Sequence, residues 1–161
     1  MNGITKLKEP TACTAEECRD FARLVRQGFE GSDDGLTQRI EKAHLLAFCY
    51  ATGEGLAATA ALKAPGERYR SDVFEKAVAA ASPSDYRFEL GWVYVVPAHR
   101  GKQVAEGLCR QLLSCVPASH VFATTRIDNT LMIRILLSLG FERVGTPYLR
   151  RDEELIVFLR S

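Results

Sequence analysis

The stretch VVPAHRGKQVA, residues 95–105, decides the fold because it joins an apolar strand to a helix through a short basic turn. Pro97 cannot continue a central ladder, so the strand ends before it. The first turn of a helix presents unpaired N–H groups and a partial positive charge, which favour phosphate. Arg100 and Lys102 add formal charge there, and Gly101 lets the backbone approach a ligand closely. The pattern is typical of a phosphate or pyrophosphate site, and as typical of a strand-to-helix turn with solvated basic residues.

Two helices are predicted before this stretch. Thr14 and Glu17 have the spacing of a capping box, which marks the start of the first helix. The apolar residues that follow fall on one helical face: Cys18, Phe21, Ala22, Val25 and Phe29. A break at residues 31–34 separates this helix from a shorter one, whose inward residues are predicted to be Leu36, Ile40 and Ala43.

A hairpin and an insertion follow the two helices. Residues 45–50 and 56–62 are apolar runs separated by glycines, which predicts two paired strands. Residues 63–85 are interrupted by proline, glycine and serine, so we interpret them as an insertion that could line a binding site. The apolar residues inside it predict a short amphipathic helix: Phe74, Ala77, Val78 and Ala81.

The C-terminal half alternates strands and helices. Residues 86–96 form the strongest predicted strand, and 121–125 a short one. Asp128 or Asn129 caps a helix that Gly140 terminates. Two last strands are predicted at 141–145 and 155–159, joined by a charged turn. This alternation indicates a mixed α/β sheet.

Composition and charge exclude several classes of protein. The length of 161 residues suits one domain, so we expect a single domain over 1–161. A formal net charge of +1 gives no electrostatic reason to expect nucleic acid as a partner. No apolar run approaches the length that spans a bilayer, and no Cys or His pair has ligand spacing. We therefore expect no nucleic-acid, membrane or metal partner.

The cysteines and the N-terminal residues favour a cytoplasmic protein. The five cysteines are odd in number and include no C-x-x-C pair, which is typical of reduced thiols. Residues 1–10 carry lysines and lack the apolar run of a signal peptide. We therefore predict a cytoplasmic location.

Two segments resemble the acetyl-coenzyme A signature of the GNAT superfamily of N-acetyltransferases. Residues 95–105 resemble the pattern R-x-x-G-x-G/A preceded by a V-x-P turn. The second segment, residues 129–141, resembles N-x-x-A-x-x-L-Y-x-x-x-G-F through Asn129, Met132, Ile135, Leu136, Gly140 and Phe141. The two matches lie in the family's order with a strand between them, and the element order fits over nearly the whole chain.

The resemblance implies a fold and a cosubstrate. The expected fold is an α/β (α+β) fold with a mixed, mostly antiparallel central sheet of six to seven strands, about four flanking helices and a small helical insertion. The expected cosubstrate is acetyl-coenzyme A. The central strand at 86–96 and its neighbour at 121–125 would splay apart to admit the pantetheine arm.

The resemblance also implies which residues bind that cosubstrate. The backbone groups of Val95 and Val96 would pair with the pantetheine amides, and Asn129 would bond the arm near its thiol end. The pyrophosphate would be held by a run of backbone N–H groups, those of Arg100, Gly101, Lys102, Gln103, Val104 and Ala105.

Two residues depart from the family pattern. Gln103 stands where the family has glycine, and we expect binding to survive because a helical first turn suits any residue. Leu136 stands where the family has the tyrosine that protonates the departing thiolate, and leucine cannot donate a proton. An alkyl thiol has a pKa of about 8.5, so its thiolate is a tolerable leaving group near neutral pH. Tyr148 and Tyr94 are candidate substitutes for the acid.

Glu89 is the candidate general base for the amine acceptor. It lies six residues before Val95, which places both on one face of an alternating strand. The family has a catalytic glutamate at a similar place, and a carboxylate there could take the proton directly or through water. The alternative is a solvated or salt-bridged strand residue without a chemical role. His99, beside the basic turn, is interpreted as a surface residue.

The acceptor side of the reaction remains open. Tyr69, Arg70 and Phe74 of the insertion, together with Arg126, could form a wall of the acceptor site, or could be ordinary exposed or packed residues. The predicted activity is acetyl transfer to a primary amine of a small molecule or a protein. The alternative is a coenzyme A or acyl-coenzyme A sensor without turnover, which the departures at Gln103 and Leu136 favour. The resemblance makes a homodimer possible.

Overall fold

A computed structural model describes residues 3–28, 34–117 and 119–161. Within these residues the chain forms seven strands and five helices. The strands are β1 Gly3–Lys8, β2 Leu45–Ala51, β3 Gly55–Lys63, β4 Phe88–Val95, β5 Val121–Arg126, β6 Glu142–Arg150 and β7 Glu153–Arg160. The helices are α1 Ala15–Gln27, α2 Leu36–Glu41, α3 Glu67–Lys76, α4 Val104–Ser114 and α5 Thr130–Ser138. Short 3-10 turns occur at Pro10–Ala12, Pro83–Asp85 and Pro97–His99.

The chain groups into two compact units. The first comprises residues 1–63 and 91–117, and the second comprises residues 64–90 and 118–161. In the first unit the strand order is β1-β2-β3-β4, and in the second it is β4-β5-β7-β6. β4 thus begins in the second unit and ends in the first, and the seven strands belong to one sheet.

The first unit buries a core between its helices and strands. β1, β2 and β3 pair antiparallel, with Phe48 opposite Thr59 in the β2–β3 hairpin. Phe21 of α1 and Phe48 of β2 make an edge-to-face contact with ring centroids 5.3 Å apart. As the sequence predicts, core residues recur at helical spacing along α1 and from α2 to Ala43, and further core residues alternate along β2: Phe21, Ala22, Val25, Leu36, Ile40, Ala43, Leu46 and Phe48.

The second unit combines a parallel and an antiparallel pairing. β4 pairs parallel with β5 through Phe88 opposite Val121 and Glu89 opposite Phe122. β5, β7 and β6 pair antiparallel, and the β6–β7 hairpin carries a bulge between Val144 and Tyr148. The aromatic rings of Phe74 and Phe122 meet edge to face at 5.5 Å, so α3 packs directly on β5.

Several predicted features agree with the structure. Thr14 and Glu17 form both hydrogen bonds of the capping box of α1. Asn129, rather than Asp128, caps α5. Gly140 has a φ of 83°, and the N–H groups of Gly140 and Phe141 donate to the carbonyls of Leu137 and Leu136, which is a Schellman motif. The predictions for Phe29 and for residues 31–33 lie outside the described residues.

One strand was not predicted, and one prediction about a helix is wrong. Residues Gly3–Lys8 form an edge strand that the sequence analysis did not predict, because its apolar residues do not alternate and it carries lysines, as edge strands do. Val78 was placed on the buried face of the insertion helix, but α3 ends at Lys76. Val78 is 70% exposed and has a φ of 53°, so it lies beyond the helix in the left-handed region.

Candidate active site

The backbone at the start of α4 is shaped like an anion-binding loop. Gly101 has a φ of 76° and Gln103 has a φ of 56°, so two left-handed residues occur within three positions. Turns of this kind can direct successive N–H groups toward one point, and such concave backbone segments bind anions. Gly101, Lys102 and Gln103 are all exposed.

The conformation of Gln103 corrects one expectation. The expected conformation is helical and suits any residue, whereas Gln103 is the N-cap of α4 with left-handed angles of 56° and 18°. An L-residue with a Cβ atom pays roughly 1–2 kcal/mol there, which glycine avoids. The family's glycine at this position is therefore explained by backbone strain as well as by space.

The first N–H groups of α4 are left available. Gln103 makes no side-chain cap, and the first hydrogen bond of the helix runs from the Gly107 N–H to the Gln103 carbonyl. The N–H groups of Val104, Ala105 and Glu106 precede that bond, so they have no intrahelical acceptor. This is the arrangement in which an anion completes the helix end.

Arg100 is held against the end of β4. Its Nε donates to the Val95 carbonyl at 3.0 Å, and its guanidinium lies 5.7 Å from the centroid of the Tyr94 ring. These two contacts fix the position of the Arg100 side chain and therefore of its terminal N–H groups. Lys102, in contrast, has an exposed side chain at the loop itself.

The backbone of Val96 is already used within the protein. Its N–H donates to the Ala57 carbonyl at 2.9 Å, and its carbonyl accepts from the His99 N–H at 2.9 Å. A pantetheine amide could therefore pair with Val96 only through the second lone pair of its carbonyl. The Val95 carbonyl is also used, since it accepts from the Arg100 side chain.

His99 is buried, which contradicts its interpretation as a surface residue. It is 7% exposed, and its Nε2 lies 2.8 Å from the Glu54 carboxylate. The 3-10 turn at Pro97–His99 directs the ring toward the β2–β3 turn, which carries Glu54. His99 therefore joins the β2–β3 turn to the segment that precedes the loop.

Glu89 lies in the second unit as a buried carboxylate. It is 2% exposed, and its Oε1 accepts from the Thr124 hydroxyl at 3.1 Å and from the Tyr69 hydroxyl at 3.4 Å. Thr124 projects from β5 and Tyr69 from α3. The two hydroxyl donors fix the position of the Glu89 carboxyl group, which makes this residue a candidate base.

The backbone of β4 between Glu89 and Val95 does not follow the regular alternation from which a shared face was predicted. Trp92 lies between them and has a φ of 50°, a left-handed conformation that interrupts the alternation of side chains. The Trp92 carbonyl accepts from the Thr59 hydroxyl at 3.1 Å, which helps to hold this conformation. Glu89 is a candidate because of its own surroundings and not because of its spacing from Val95.

Tyr148 lies in the same cluster as Glu89. It is 7% exposed and belongs to the apolar core of the second unit with Phe74 and Phe122. Burial raises the pKa of Tyr148, and the negative charge of Glu89 adds to that effect. Its hydroxyl makes no hydrogen bond among the residues that the structure describes. Tyr148 is a candidate proton donor, but its raised pKa disfavours loss of the proton.

Arg150 completes the cluster around Tyr69. Its Nη1 donates to the Tyr69 hydroxyl at 3.3 Å, and its guanidinium lies 5.3 Å from the centroid of the Tyr69 ring. Tyr69 is a candidate from the sequence alone, whereas the sequence around Arg150 indicates only a charged turn. Thr124 was also missed, and only its hydrogen bond to Glu89 identifies it as part of the cluster.

The remaining predicted residues have structural partners. The Asn129 side chain accepts from the Met132 N–H at 3.1 Å, so its oxygen caps α5 and only its amide N–H groups are left for a ligand. Leu136 is 0% exposed and belongs to the core, so it has no part in proton transfer. Arg126 forms ion pairs with Asp128 at 3.2 Å and with Glu153 at 3.8 Å.

The insertion that carries Tyr69 is fixed to β6. The Thr146 N–H donates to the Ala77 carbonyl at 2.7 Å. Gly145, with a φ of 64°, has no room for a side chain, because a Cβ atom would overlap that carbonyl. Close contact between the end of α3 and the β6 bulge therefore sets the position of Tyr69 over Glu89.

None of the described helices is both long and apolar enough to cross a bilayer. No group of three or more potential metal ligands occurs within the described part of the chain.

Comparison with known sequences finds short matches. No known protein-family profile matches the chain. Over 60 residues, 37% of this chain, the sequence is 32% identical to the N-alpha-acetyltransferase RimI of Mycobacterium tuberculosis, of which the match covers 38%. An uncharacterized protein of Mycobacterium leprae is 33% identical over 60 residues, which cover 17% of its length. The matches thus span less than two fifths of these relatives.

Comparison with solved structures finds matches over the whole chain. An acyl-CoA N-acyltransferase from Pseudomonas aeruginosa has a TM-score of 0.75 and 15% identity, over 99% of this chain and 100% of that one. Escherichia coli ElaA has a TM-score of 0.71 and 15% identity, with 99% of both chains covered. The putative acetyltransferase yncA of Salmonella typhimurium, solved with its cofactor acetyl-CoA, has a TM-score of 0.66 and 16% identity, over 100% of this chain and 94% of that one.

These likenesses establish the fold. The chain has the acyl-CoA N-acyltransferase fold, so the fold that the resemblance implies is confirmed. The predicted fold class is also confirmed, since the mixed sheet has seven strands and is mostly antiparallel, with α3 as the helix of the insertion.

Proposed function

We propose that this chain is an acetyl-coenzyme A-dependent N-acetyltransferase that acts on a primary amine. The observation that carries the proposal is the loop at Gly101–Gln103, whose left-handed residues leave the first N–H groups of α4 open on an acyl-CoA N-acyltransferase fold. The residues present fit a diphosphate, because the N–H groups at the start of α4 directly follow the exposed side chains of Arg100 and Lys102 in the chain. Acetyl-coenzyme A would supply the thioester.

The proposed reaction is direct attack in a ternary complex. The acceptor nitrogen forms a bond to the thioester carbonyl carbon, the carbon–sulfur bond breaks, and coenzyme A leaves as the thiolate. Glu89 takes the proton that the amine loses, directly or through water. The developing oxyanion is stabilised by a backbone N–H near Val95. The thiolate takes its proton from solvent or from Tyr148, since Leu136 has none to give.

The first experiment measures coenzyme A binding by calorimetry. Gly101→Ala forces a side chain into the left-handed conformation of the loop, so we expect at least a tenfold loss of affinity for coenzyme A. Gly140→Ala is the matched control, because Gly140 has a similar φ of 83° and open space around it, but caps α5. Equal affinity of both variants would contradict the proposed phosphate site.

The second experiment measures thiol release from acetyl-coenzyme A with a panel of amines. Glu89→Gln keeps the shape of the side chain and removes the base, so we expect a fall of about 10²–10⁴ in kcat with unchanged coenzyme A affinity. Glu142→Gln, an exposed change of the same kind, is the control. Unchanged rates in Glu89→Gln would remove Glu89 from the mechanism.

A second function is favoured by the same structure. Leu136 is fully buried in place of the family's tyrosine, and Gln103 strains the loop where glycine is usual. Both fit a protein that binds coenzyme A or acyl-coenzyme A as a sensor without turnover. Tight binding with no thiol release for any amine would favour this alternative. The cytoplasmic location, the single domain and a homodimer stay predictions.

A further inference from the structure

Arg150 has no carboxylate partner within the described part of the chain. Among the described residues, Arg126 pairs with Asp128 and Glu153, and Lys76 pairs with Asp72 at 2.9 Å. The described contacts of Arg150 are with Tyr69, through one hydrogen bond and the face of the ring. A guanidinium has five N–H donors in a planar fork, so the contact with Tyr69 leaves most of them available.

Arg150 is also held in a defined position. The Tyr69 hydroxyl accepts from Arg150 and donates to Glu89, so one phenol links the exposed cation to the buried carboxylate. The ring beneath the guanidinium restricts it further. A guanidinium positioned in this way is suited to bind a carboxylate with two parallel hydrogen bonds.

The Arg150 guanidinium and the Glu89 carboxyl group lie close together. The two hydrogen bonds through Tyr69 measure 3.3 and 3.4 Å, so Arg150 Nη1 and Glu89 Oε1 are separated by no more than two hydrogen-bond lengths. A separation of this size suits a small molecule whose ammonium and carboxylate groups are a few bonds apart. An amine directed to Glu89 would place such a carboxylate beside Arg150.

We propose that Arg150 binds the carboxylate of the acceptor, and that the acceptor is a small zwitterionic amine of the amino-acid class. This inference rests on the proposed function, in which Glu89 receives the proton of the amine. Arg150 is thus a specificity-determining residue, and Tyr69 positions it relative to Glu89. A polyamine would bring a second cation to Arg150, and the amine of a protein N-terminus has an amide where the amino acid has a carboxylate.

The test compares pairs of acceptors that differ only in charge. Thiol release from acetyl-coenzyme A is measured with free amino acids and with the corresponding amino-acid amides, which keep the amine and lose the carboxylate. We expect the wild-type chain to prefer the free amino acids in kcat/KM. We expect Arg150→Gln to lower kcat/KM for the amino acids by about 10–100-fold, the effect of losing a hydrogen-bonded charge, and to leave the amides unchanged.

Two further variants separate recognition from folding. Arg150→Lys keeps the charge without the fork, so we expect it to recover part of the preference for the free amino acid. Arg143→Gln removes an exposed arginine from the same strand and should change neither acceptor. The KM for acetyl-coenzyme A is expected to stay constant in all three variants.

Each outcome decides between the two proposals. Equal losses for amino acids and amides in Arg150→Gln, or a wild-type preference for amides, peptides or polyamines, would overturn the acceptor assignment and leave the acetyltransferase standing. Absence of thiol release with every acceptor, in the wild-type chain as well, would overturn the acetyltransferase itself.

Discussion

The hydroxyl groups of Tyr69 and Tyr148, both in the cluster around Glu89, differ in their hydrogen bonding. The Tyr69 hydroxyl has a donor and an acceptor, whereas the Tyr148 hydroxyl is buried and makes no described hydrogen bond. A buried hydroxyl without a partner destabilises a folded protein, because it has lost its water. Its presence in a well-packed core needs a reason, and proton donation to the leaving thiolate is one.

Replacement of each tyrosine by phenylalanine should therefore have opposite effects on stability. We expect Tyr148→Phe to leave the free energy of unfolding unchanged or to raise it by up to about 1 kcal/mol, and Tyr69→Phe to lower it by about 1–2 kcal/mol. Urea denaturation measures both. If Tyr148 has a chemical role, kcat falls in Tyr148→Phe although the fold is no weaker. A clear loss of stability in Tyr148→Phe would show that its hydroxyl has a partner.

At the residue scale, candidate side chains could be predicted from the sequence, but their contacts could not. Glu89 was identified, yet its hydroxyl donors come from α3 and β5, far apart in the chain. The sequence around Arg150 is that of an ordinary charged hairpin turn, and only the contact with Tyr69 distinguishes this arginine. The left-handed backbone conformation of Gln103 could not be predicted either, because glutamine does not favour that conformation. Non-local contacts and strained backbone are the features that a single sequence reveals least.

α3 and α5 end in the same motif with different residues. After α5, Gly140 has a φ of 83° and the N–H of Phe141 donates to the Leu136 carbonyl. After α3, Val78 has a φ of 53° and the N–H of Ala79 donates to the Phe74 carbonyl at 3.0 Å. A β-branched valine thus occupies the position that favours glycine in a Schellman motif.

Exchange of these two residues should shift stability in opposite directions. Val78→Gly relieves a left-handed valine and loses little packing because the side chain is 70% exposed, so we expect a gain of about 1 kcal/mol in the free energy of unfolding. Gly140→Val introduces the same strain and should cost about 1–2 kcal/mol. Denaturant titration of both variants measures the effect. Destabilisation by Val78→Gly would mean that the valine side chain supports the end of α3.

Elements were predictable where local chemistry decided them. The capping box at Thr14, the N-cap at Asn129 and the glycine at 140 set helix ends through contacts within a few residues, and all agree with the structure. β1 was missed because its pairing partner, β2, lies about 40 residues away and its own pattern is weak. The end of α3 was misplaced because nothing in the sequence around Val78 indicates a helix stop.

For the molecule as a whole, the order of elements carried more information than any single residue. Two motifs and the strand between them were enough to predict the acyl-CoA N-acyltransferase fold, which the solved structures confirm at 15–16% identity. The same identity leaves the acceptor open, since folds of this kind persist while the residues around the acceptor change. The acceptor therefore has to be argued from the cluster at Glu89, Tyr69 and Arg150.

Buried acidic groups make the whole molecule sensitive to alkaline pH. Burial raises the pKa of Cys109 to about 12 and that of Cys13 to about 11. Burial also raises the pKa of Cys49, Tyr69 and Tyr148 above their ordinary values. In the unfolded chain the thiols ionise from about pH 9, so the unfolded state then binds fewer protons than the folded state. The free energy of unfolding must therefore fall as the pH rises above that value.

We expect urea denaturation, under reducing conditions, to show constant stability from pH 7 to about 8.5 and a progressive loss from about pH 9 upward. Cys109 is fully buried and contributes a slope of up to about 1.4 kcal/mol per pH unit between about pH 9 and 12. Cys109→Ala removes this titration, so its stability curve should fall less steeply, although the small cavity lowers it at every pH. Cys115→Ala, an exposed change, is the control and should leave the slope as it is. A flat wild-type curve between pH 8 and 10.5 would mean that these thiols and phenols reach water in the folded state.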